Sequence, residues 1–396
     1  MKSRGFSGTS RCRPVESQLR YPYPYSVLGF VRCHLSVLIG LGWLSLFAGD
    51  AYGLSFKAVI LHPNDFIFTN AHGASAGRQV GDGSKGPHPH ALLWSEAVAS
   101  LVDLHPEEFL NSSANGISGN QQVGSGLGSG GMDNTRHALL WSGSAASVVD
   151  FHPSGFLDSA ASGVSDGKQV GFGRTGGLEH ALLWSGTAAS VVDLHPEGYT
   201  SSAGTGISSN QQVGVGGIGG VPHALLWSGT AASVVDLHPS GYTHSRALAV
   251  SAGQQVGDGV IGGTRHALLW SGSAASVVDL HPEGFLGSTT LGVSGGKQVG
   301  VGFDGVTGHA LLWLGSADSV IDLNAYLPRG SGFTGAVANA IDEKGNIVGY
   351  ALKNNNPRAV LWKPIEFGPV PAPPAVVTFL LAVTAIWIWV RQQRPR

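Results

Sequence analysis

The segment His180-Ala-Leu-Leu-Trp184 decides the fold, because the same five residues return at a regular interval along the chain. Complete copies begin at His90, His137, His180, His223, His266 and His309. A degenerate copy, Arg358-Ala-Val-Leu-Trp362, follows them. His180 and His223, for example, are 43 residues apart, a spacing typical of β-propeller blades. The sequence therefore predicts one structural unit repeated seven times rather than several unrelated domains.

Each repeat contains four short β-type segments that are bounded by Gly, Ser, Asp or Pro. In the third segment, alternation places His309, Leu311 and Trp313 on one face and Ala310 and Leu312 on the other. Both faces are apolar, so each sheet needs a neighbour on both sides. We expect an all-β, seven-bladed β-propeller of four-stranded blades over residues 54–368, with an open β-solenoid as the alternative.

The start of the repeat region carries a fourth-strand segment with no strands before it. Phe56-Lys-Ala-Val-Ile-Leu-His-Pro63 matches Ser190-Val-Val-Asp-Leu-His-Pro196, with Ile60 in the place of Asp193. The last unit lacks this segment after Trp362. We therefore predict that the N-terminal strand completes blade seven as its outer strand, which closes the propeller and protects its edges.

The two ends of the chain differ from the repeat region. Residues 1–53 form a predicted signal peptide region, in which an apolar stretch from Leu35 to Ala48 follows basic residues and precedes small ones. Residues 369–396 form a proline-rich linker and a predicted transmembrane helix, whose apolar run from Ala375 to Val390 ends in basic residues. The expected location is secreted or at the outer cell surface, with attachment to a membrane through the C-terminal segment.

Charge and cysteine content exclude several classes of function. Residues 54–370 hold 14 Lys and Arg against 23 Asp and Glu, and this acidic balance excludes nucleic acid as an expected partner. Cys12 and Cys33 both precede the repeats, so the repeats have no disulfide and no thiolate metal site. We expect no cofactor and no metal site; calcium is considered only at Asp258 and Asp304, which lack a dense Asp/Asn loop.

Two features resemble known families. The His-Ala-Leu-Leu-Trp phrase after a Gly-x-Gln-Val-Gly segment, together with the segment from Ala340 to Tyr350, resembles the HAF-repeat extracellular proteins. That resemblance implies a secreted bacterial protein and carries over no catalytic residues. The last 27 residues are similar to the PEP-CTERM sorting signal, although Ala372 stands where that signal has a glutamate.

The repeated polar residues suggest a structural network rather than a metal site. Residues that occur once per blade are spread around the propeller, so they do not converge on one ion. They resemble the structural tetrads of tryptophan-aspartate repeat propellers, in which Asp, His and Trp side chains satisfy one another within a blade. The predicted members include His137, Trp141, Asp150, His180, Trp184, Asp193, His223, Trp227, Asp236, His266, Trp270 and Asp279.

A ligand site on a repetitive propeller is expected where the repeats differ. The candidate ligand-loop residues are Lys85, His88, Asp133, Asn134, Arg136, Asn354, Asn355 and Arg358. Such polar loops suit contacts with a glycan or a protein partner.

The sequence shows no catalytic constellation. It therefore predicts a binding or structural module of the cell envelope or extracellular matrix, and not an enzyme. The alternative is an extracellular propeller enzyme, a hydrolase or lyase that acts on a polymer. Acidic and basic side chains that different blades bring to the channel without symmetry would favour that alternative.

Overall fold

The computed structural model describes residues 53–128 and 135–365. These residues form seven four-stranded antiparallel sheets, each of which is one blade, and neighbouring blades pack face to face. The seven innermost strands contact one another in succession, from the first blade through the seventh and back to the first. The prediction of an all-β, seven-bladed propeller of four-stranded blades is confirmed.

The strands of blades I to VI follow one another along the chain from inside to outside. Blade I contains β2 (Phe68–Ser75), β3 (Arg78–Ser84), β4 (His90–Trp94) and β5 (Val102–Asp103); blade II contains β6 (Phe109–Ser118), β7 (Gln121–Gly128), β8 (Arg136–Trp141) and β9 (Val149–Asp150). Blade III contains β10 (Asp158–Ser165), β11 (Lys168–Thr175), β12 (Leu178–Trp184) and β13 (Val192–Asp193); blade IV contains β14 (Ser201–Ser208), β15 (Gln211–Ile218), β16 (Val221–Trp227) and β17 (Val235–Asp236). Blade V contains β18 (His244–Ser251), β19 (Gln254–Ile261), β20 (Thr264–Trp270) and β21 (Val278–Asp279); blade VI contains β22 (Gly287–Ser294), β23 (Lys297–Phe303), β24 (Gly308–Trp313) and β25 (Ile321–Asp322).

Blade VII is assembled from both ends of the repeat region. It contains β26 (Phe333–Ile341), β27 (Ile347–Lys353) and β28 (Asn356–Ile365), and its outer strand is β1 (Ser55–Ile60). The antiparallel register runs from Ser55 opposite Ile365 to Ile60 opposite Val360. The predicted closure by the N-terminal strand is therefore confirmed.

Short 3-10 helices lie between the strands. Six of them join the third strand of a blade to the fourth, and the seventh follows β25. Their bounds are Val98–Ser100, Ala145–Ser147, Ala188–Ser190, Ala231–Ser233, Ala274–Ser276, Ala317–Ser319 and Leu323–Tyr326.

The core lies between the blades. The tryptophans that end the repeated phrase are fully buried: Trp94, Trp141, Trp184, Trp227, Trp270, Trp313 and Trp362. In one cluster, Leu140 of blade II packs with Leu182 and Trp184 of blade III, and Phe151 lies edge-on to the Trp184 ring at 5.0 Å. Because the phrase is apolar on both faces, every blade contributes to the cluster before it and to the cluster after it.

The second strand approaches the innermost strand closely at a repeated Val-Gly-x-Gly segment. A Cβ atom at Gly81 would lie 1.9 Å from the carbonyl oxygen of Asn70, and one at Gly257 would lie 1.9 Å from that of Arg246. Only glycine permits this approach. Residue x is therefore the position of this segment at which the side chain can vary between blades.

The predicted signal peptide region and the predicted C-terminal transmembrane helix lie outside the described residues. Within residues 53–128 and 135–365, no helix is long and apolar enough to cross a membrane. The two segments enter the proposal below on the basis of sequence alone.

Candidate functional site

The repeated histidines and aspartates form one arrangement on each of blades I to VI. The third-strand histidine donates from Nδ1 to the aspartate of the outer strand, as in His180 and Asp193 at 2.7 Å. The same pair occurs as His90–Asp103, His137–Asp150, His223–Asp236, His266–Asp279 and His309–Asp322, at 2.6–2.8 Å. Each aspartate thereby fixes the outer strand of a blade to the third strand.

In every blade except blade VI, a histidine follows the outer strand and links one blade to the next. The His195 imidazole stacks on His180 with 4.0 Å between ring centroids, and its Nδ1 is 2.9 Å from the hydroxyl of Ser202 in the following blade. That hydroxyl also accepts the backbone N–H of Ala181 at 2.9 Å. Burial, together with the neighbouring His180, lowers the pKa of His195, which keeps the imidazole neutral and able to accept the serine proton.

The tryptophans do not belong to this network. Within the described residues, the indole N–H groups of Trp94, Trp141, Trp184, Trp227, Trp270 and Trp313 are buried without a hydrogen-bond partner. Trp362 alone among the repeated tryptophans donates, to the carbonyl oxygen of Leu323 at 3.1 Å. The expectation that Trp satisfies Asp and His is therefore wrong, because the indole turns into the apolar space between blades.

The first predicted ligand loop lies beside the connection into blade I. Lys85 Nζ is 2.6 Å from the carboxylate of Asp65 and 4.8 Å from the centroid of the Phe66 ring. His88 is exposed in the same loop. Lys85 is thus already paired with a carboxylate.

The second loop contributes one described residue. The Arg136 guanidinium lies over the Phe172 ring at 5.3 Å from its centroid. Asp133 and Asn134 lie outside the described residues. No site can be assembled from this loop in the part of the chain that the structure describes.

The third loop lies beside a cavity on blade VII. Asn354 and Asn355 form the turn between β27 and β28, with φ of 51° and 61°. Arg358 lines a cavity of about 390 Å³ together with Lys353 and His62. Of the three predicted loops, this one therefore borders a cavity.

A pair that the sequence analysis did not identify lies in blade I. His72 Nε2 is 2.5 Å from Asp82 Oδ1, and the Asn70 amide donates to the same oxygen at 3.4 Å. The His72 side chain is 32% exposed and that of Asp82 is 13% exposed. The carboxylate is thus sheltered, while the imidazole remains accessible to a ligand.

His72 occupies a β-bulge, where an inserted residue interrupts the pairing of β2 with β3 between Ala71 and Gly73. Bulges turn a side chain out of the regular alternation and are common beside active sites. The bulge residues of three other blades connect neighbours: Asn115 donates to Ala161, Thr205 donates to Ala247, and Asn339 donates to Ala71. His72 instead bonds within its own blade, so it does not serve this connecting role.

A second unrepeated charged cluster lies in blades V and VI. The Asp258 carboxylate accepts from Arg246 at 2.5 and 3.1 Å, from Arg265 at 2.8 Å and from Thr289 at 3.3 Å. Asp258 is 1% exposed. These four hydrogen bonds, from three residues, engage the carboxylate of Asp258, which the sequence indicates as a candidate calcium ligand.

The other calcium candidate, Asp304, is also engaged. Its carboxylate accepts the backbone N–H groups of Val306 and Thr307 at 2.8 Å and lies 3.2 Å from His309 Nε2. The two backbone hydrogen bonds lower the pKa of Asp304 to about 2. Among residues 53–128 and 135–365, no three His, Cys, Asp or Glu side chains are grouped so as to hold a metal ion.

The signal for His72 and Asp82 was present in the sequence but lay in differences between repeats. Position x of the Val-Gly-x-Gly segment is Asp82, Ser125, Phe172, Val215, Asp258, Val301 and, in the seventh unit, Tyr350. The bulge position is His72, Asn115, Ser162, Thr205, Leu248, Leu291 and Asn339. Blade I is the described blade in which the bulge residue is a histidine and residue x is an aspartate.

No family model matches the chain, and no curated protein matches it. Solved structures do match. The propeller domain of the Trilobed protease from Pyrococcus furiosus, which has an open velcro topology, aligns over 78% of this chain and 99% of that chain, with 9% identity and a TM-score of 0.52. Puromycin hydrolase aligns over 77% of this chain and 55% of its own, with 10% identity and a TM-score of 0.53, so this chain spans about half its length.

Oligogalacturonate lyase in complex with manganese aligns over 79% of this chain and 97% of its own, with 11% identity and a TM-score of 0.50. The expectation of a binding or structural module without enzymatic activity is therefore corrected, since the similar solved structures are a hydrolase, a lyase and the propeller domain of a protease. At 9–11% identity these similarities establish the fold alone.

Proposed function

We propose that this protein is an extracellular enzyme, a hydrolase or lyase that acts on a polymer, with His72 and Asp82 at its catalytic centre. The observation that carries the proposal is the unrepeated His72–Asp82 pair on an innermost strand. Asp82 accepts the Nε2 proton, which orients the imidazole and leaves Nδ1 as a proton acceptor. Within the described residues, Nδ1 of His72 has no hydrogen-bond partner.

The side-chain cluster of blades V and VI supports the same proposal. Arg246, Asp258 and Arg265 place charged groups on strands of blade V, and no other described blade carries all three together. A charged cluster that one blade carries and the others lack departs from the repeat, as is expected of a functional site and not of a uniform structural propeller. Packing alone would favour the same residues in every blade.

His72 can serve either reaction by moving one proton. In hydrolysis, Nδ1 takes a proton from water as the water oxygen attacks the bond, and the imidazolium returns it to the leaving oxygen. In elimination, Nδ1 takes the proton of a carbon, a double bond forms, the electron pair of the breaking bond leaves with the oxygen, and the imidazolium then gives its proton to that oxygen. In both cases the carboxylate of Asp82 stabilises the imidazolium.

The proposed location follows from the two ends of the chain. We infer that residues 1–53 direct export and that residues 369–396 attach the protein to a membrane or sort it to the surface. The resemblance to HAF-repeat proteins and to the PEP-CTERM signal supports this assignment. The substrate is then a glycan or another polymer outside the cell.

The test is a product assay with the exported protein and a panel of polysaccharides and polypeptides. Mass spectrometry distinguishes the two reactions, because hydrolysis adds one water to the products and elimination adds none and leaves a double bond. The proposal expects product from at least one polymer and none from the His72→Ala variant. Absence of product from the whole panel, or equal product from the variant, would contradict it.

A further inference from the structure

The cavity on blade VII lies where that blade departs from the other six. In blade III, the equivalent position holds His180, Asp193 and His195. In blade VII, Arg358 stands where the first histidine would be and Ile60 stands where the aspartate would be. These two replacements add a permanent cation and remove a carboxylate at the same place.

The cavity has a cationic and apolar lining. Lys353 and Arg358 supply the charges, and the other lining residues are Ile60, His62, Asn64, Phe66, Pro328, Ser331 and Phe333. No carboxylate is among them. Burial and the nearby Arg358 lower the pKa of His62 to about 4, so this imidazole is neutral at ordinary pH.

The two cations have no acidic partner. Among the described residues, neither Lys353 nor Arg358 forms an ion pair, whereas the nearby Asp65 is paired with Lys85 at 2.6 Å. The Arg358 guanidinium donates to the carbonyl oxygen of Ile67, which anchors it and leaves its remaining N–H groups available. Partial burial lowers the pKa of Arg358, a sign that its charge is incompletely solvated.

We propose that this cavity binds an anionic sugar residue of the polymer, with Arg358 and Lys353 on its acidic group and Phe66 and Phe333 against its apolar face. The inference rests on the proposed function and names its substrate class as an acidic polysaccharide. A guanidinium forms paired hydrogen bonds with a carboxylate or sulfate, and a lysine adds a second charge. Apolar walls with a few convergent polar groups are typical of ligand cavities of this size.

The cavity and the proposed catalytic pair lie on the same part of the chain. His62 and Phe66 belong to the connection that leads directly into β2, and His72 is the fifth residue of that strand. At about 3.3 Å per residue, Phe68 and His72 are separated by about 13 Å along the strand. A polymer of several sugars can therefore occupy the cavity with one residue and reach His72 with another.

The experiment is calorimetric titration of the exported protein with alginate oligosaccharides, which carry carboxylates, with dextran sulfate, and with neutral dextran. Arg358→His restores the residue of the other blades, and Lys353→Gln removes the second charge. Lys168→Gln is the matched control, because Lys168 begins the second strand of blade III, whereas Lys353 ends the second strand of blade VII.

We expect an anionic polymer to bind, Arg358→His to weaken its binding by about 10- to 100-fold at pH 8, and Lys168→Gln to change nothing. Preference for alginate over dextran sulfate assigns the acidic group as a carboxylate, and the reverse assigns it as a sulfate. Equal binding of neutral dextran, unchanged affinity in Arg358→His, or no binding of either anion would overturn the inference.

The two proposals fail in different ways. Binding by the wild type without product from any polymer refutes the proposed function and leaves the anionic site intact. Product formation that Arg358→His leaves unchanged at low substrate concentration refutes the anionic site and leaves the His72–Asp82 assignment intact.

Discussion

His72 Nε2 lies 2.5 Å from Asp82 Oδ1, and no other described blade places an imidazole beside a carboxylate on its two inner strands. The pairs that do repeat, such as His180 with Asp193, join the third strand to the outer strand and so lie farther out. The chain therefore contains two kinds of His–Asp pair. The repeated kind holds the outer strand of each blade to its third strand, and we propose that the unrepeated pair is catalytic.

Replacement of His72 tests the catalytic assignment. Because the side chain is 32% exposed, we expect His72→Ala to shift the melting temperature by no more than about 2 °C. Loss of the proton acceptor is expected to lower kcat by about 10²- to 10⁴-fold. Asp82→Asn keeps the shape of the side chain but removes its charge, and we expect a comparable loss of rate.

His180→Ala is the matched control for these variants. It breaks a repeated His–Asp pair, so we expect lower stability with kcat unchanged below its melting temperature. A calorimetric scan and a rate measurement on the same preparation separate the two effects. If His180→Ala lost activity and His72→Ala kept it, the repeated pairs would be the functional ones.

Deletion of Leu54–Pro63 tests how the propeller closes. The deletion removes β1, exposes the edge of β28 and takes away the buried Phe56 and Leu61. We expect the melting temperature to fall by at least about 5 °C and the protein to aggregate through the open edge. Size-exclusion chromatography and a thermal melt provide the measurement.

A synthetic peptide of residues 54–63 is the control for that deletion. It can pair with β28 in the register that β1 uses, so we expect it to restore part of the melting temperature and the monomeric state. A deletion variant that stays monomeric with an unchanged melting temperature would show that β1 does not close the propeller.

Two tryptophan variants test whether the indole N–H groups contribute hydrogen bonds. Trp184 has no hydrogen-bond partner for its indole N–H, whereas Trp362 donates to Leu323 at 3.1 Å. Replacement by phenylalanine removes a similar volume at each site, so the difference isolates the hydrogen bond. We expect Trp362→Phe to be less stable than Trp184→Phe by about 1 kcal/mol in urea unfolding. Equal losses would indicate that the Trp362 bond contributes nothing.

Stability is expected to fall as the pH is lowered through the histidine range. Burial lowers the pKa of the histidines that follow the outer strands, to about 4 for His62 and in the same direction for His105, His195, His238 and His281. Their unfolded pKa is about 6.5, so the unfolded chain binds more protons below that value. The stabilisation is therefore complete above about pH 6.5 and is lost as the pH falls toward 4.

Blade VI supplies the control for this pH dependence, because Asn324 stands where the other blades have a histidine. His238→Asn copies that arrangement, and we expect it to reduce the acid sensitivity of the melting temperature without unfolding the protein. His309 acts in the opposite direction: burial lowers its pKa, but Asp322 and Asp304 outweigh that effect and raise it. A melting temperature that rises as the pH is lowered from 6.5 to 4 would contradict the lowered pKa of these histidines.

The blades and their closure could be predicted from the sequence because their causes are local and repeated. The alternation in His309-Ala-Leu-Leu-Trp313 makes both faces apolar, and the fragment from Phe56 to Pro63 matches the strand that blade VII lacks. The role of tryptophan could not be predicted in this way. The packing of Trp184 against Phe151 depends on how two blades face each other, which a single repeat does not encode.

The candidate site escaped prediction for a related reason. His72 and Asp82 come together because a bulge turns His72 and because Gly81 lets β2 approach β3. The bulge has no sequence pattern of its own, and Gly81 belongs to a Val-Gly-x-Gly segment that recurs in other blades, so neither feature singles out a pair that occurs once. The cavity on blade VII could be predicted in part, because the sequence already indicates Arg358 as a ligand residue. Its other lining residues could not, because they come from distant segments, such as Phe66 and Ser331.

The central claim is that the unrepeated His72–Asp82 pair is catalytic, and the most direct measurement is product formation by wild type and His72→Ala from the same panel of acidic polysaccharides. The account predicts cleavage of an acidic polymer by the wild type and at least about a hundredfold slower cleavage by the variant, at equal melting temperature. Equal rates from the two proteins would show that the pair is structural and would remove the basis for the proposed enzyme.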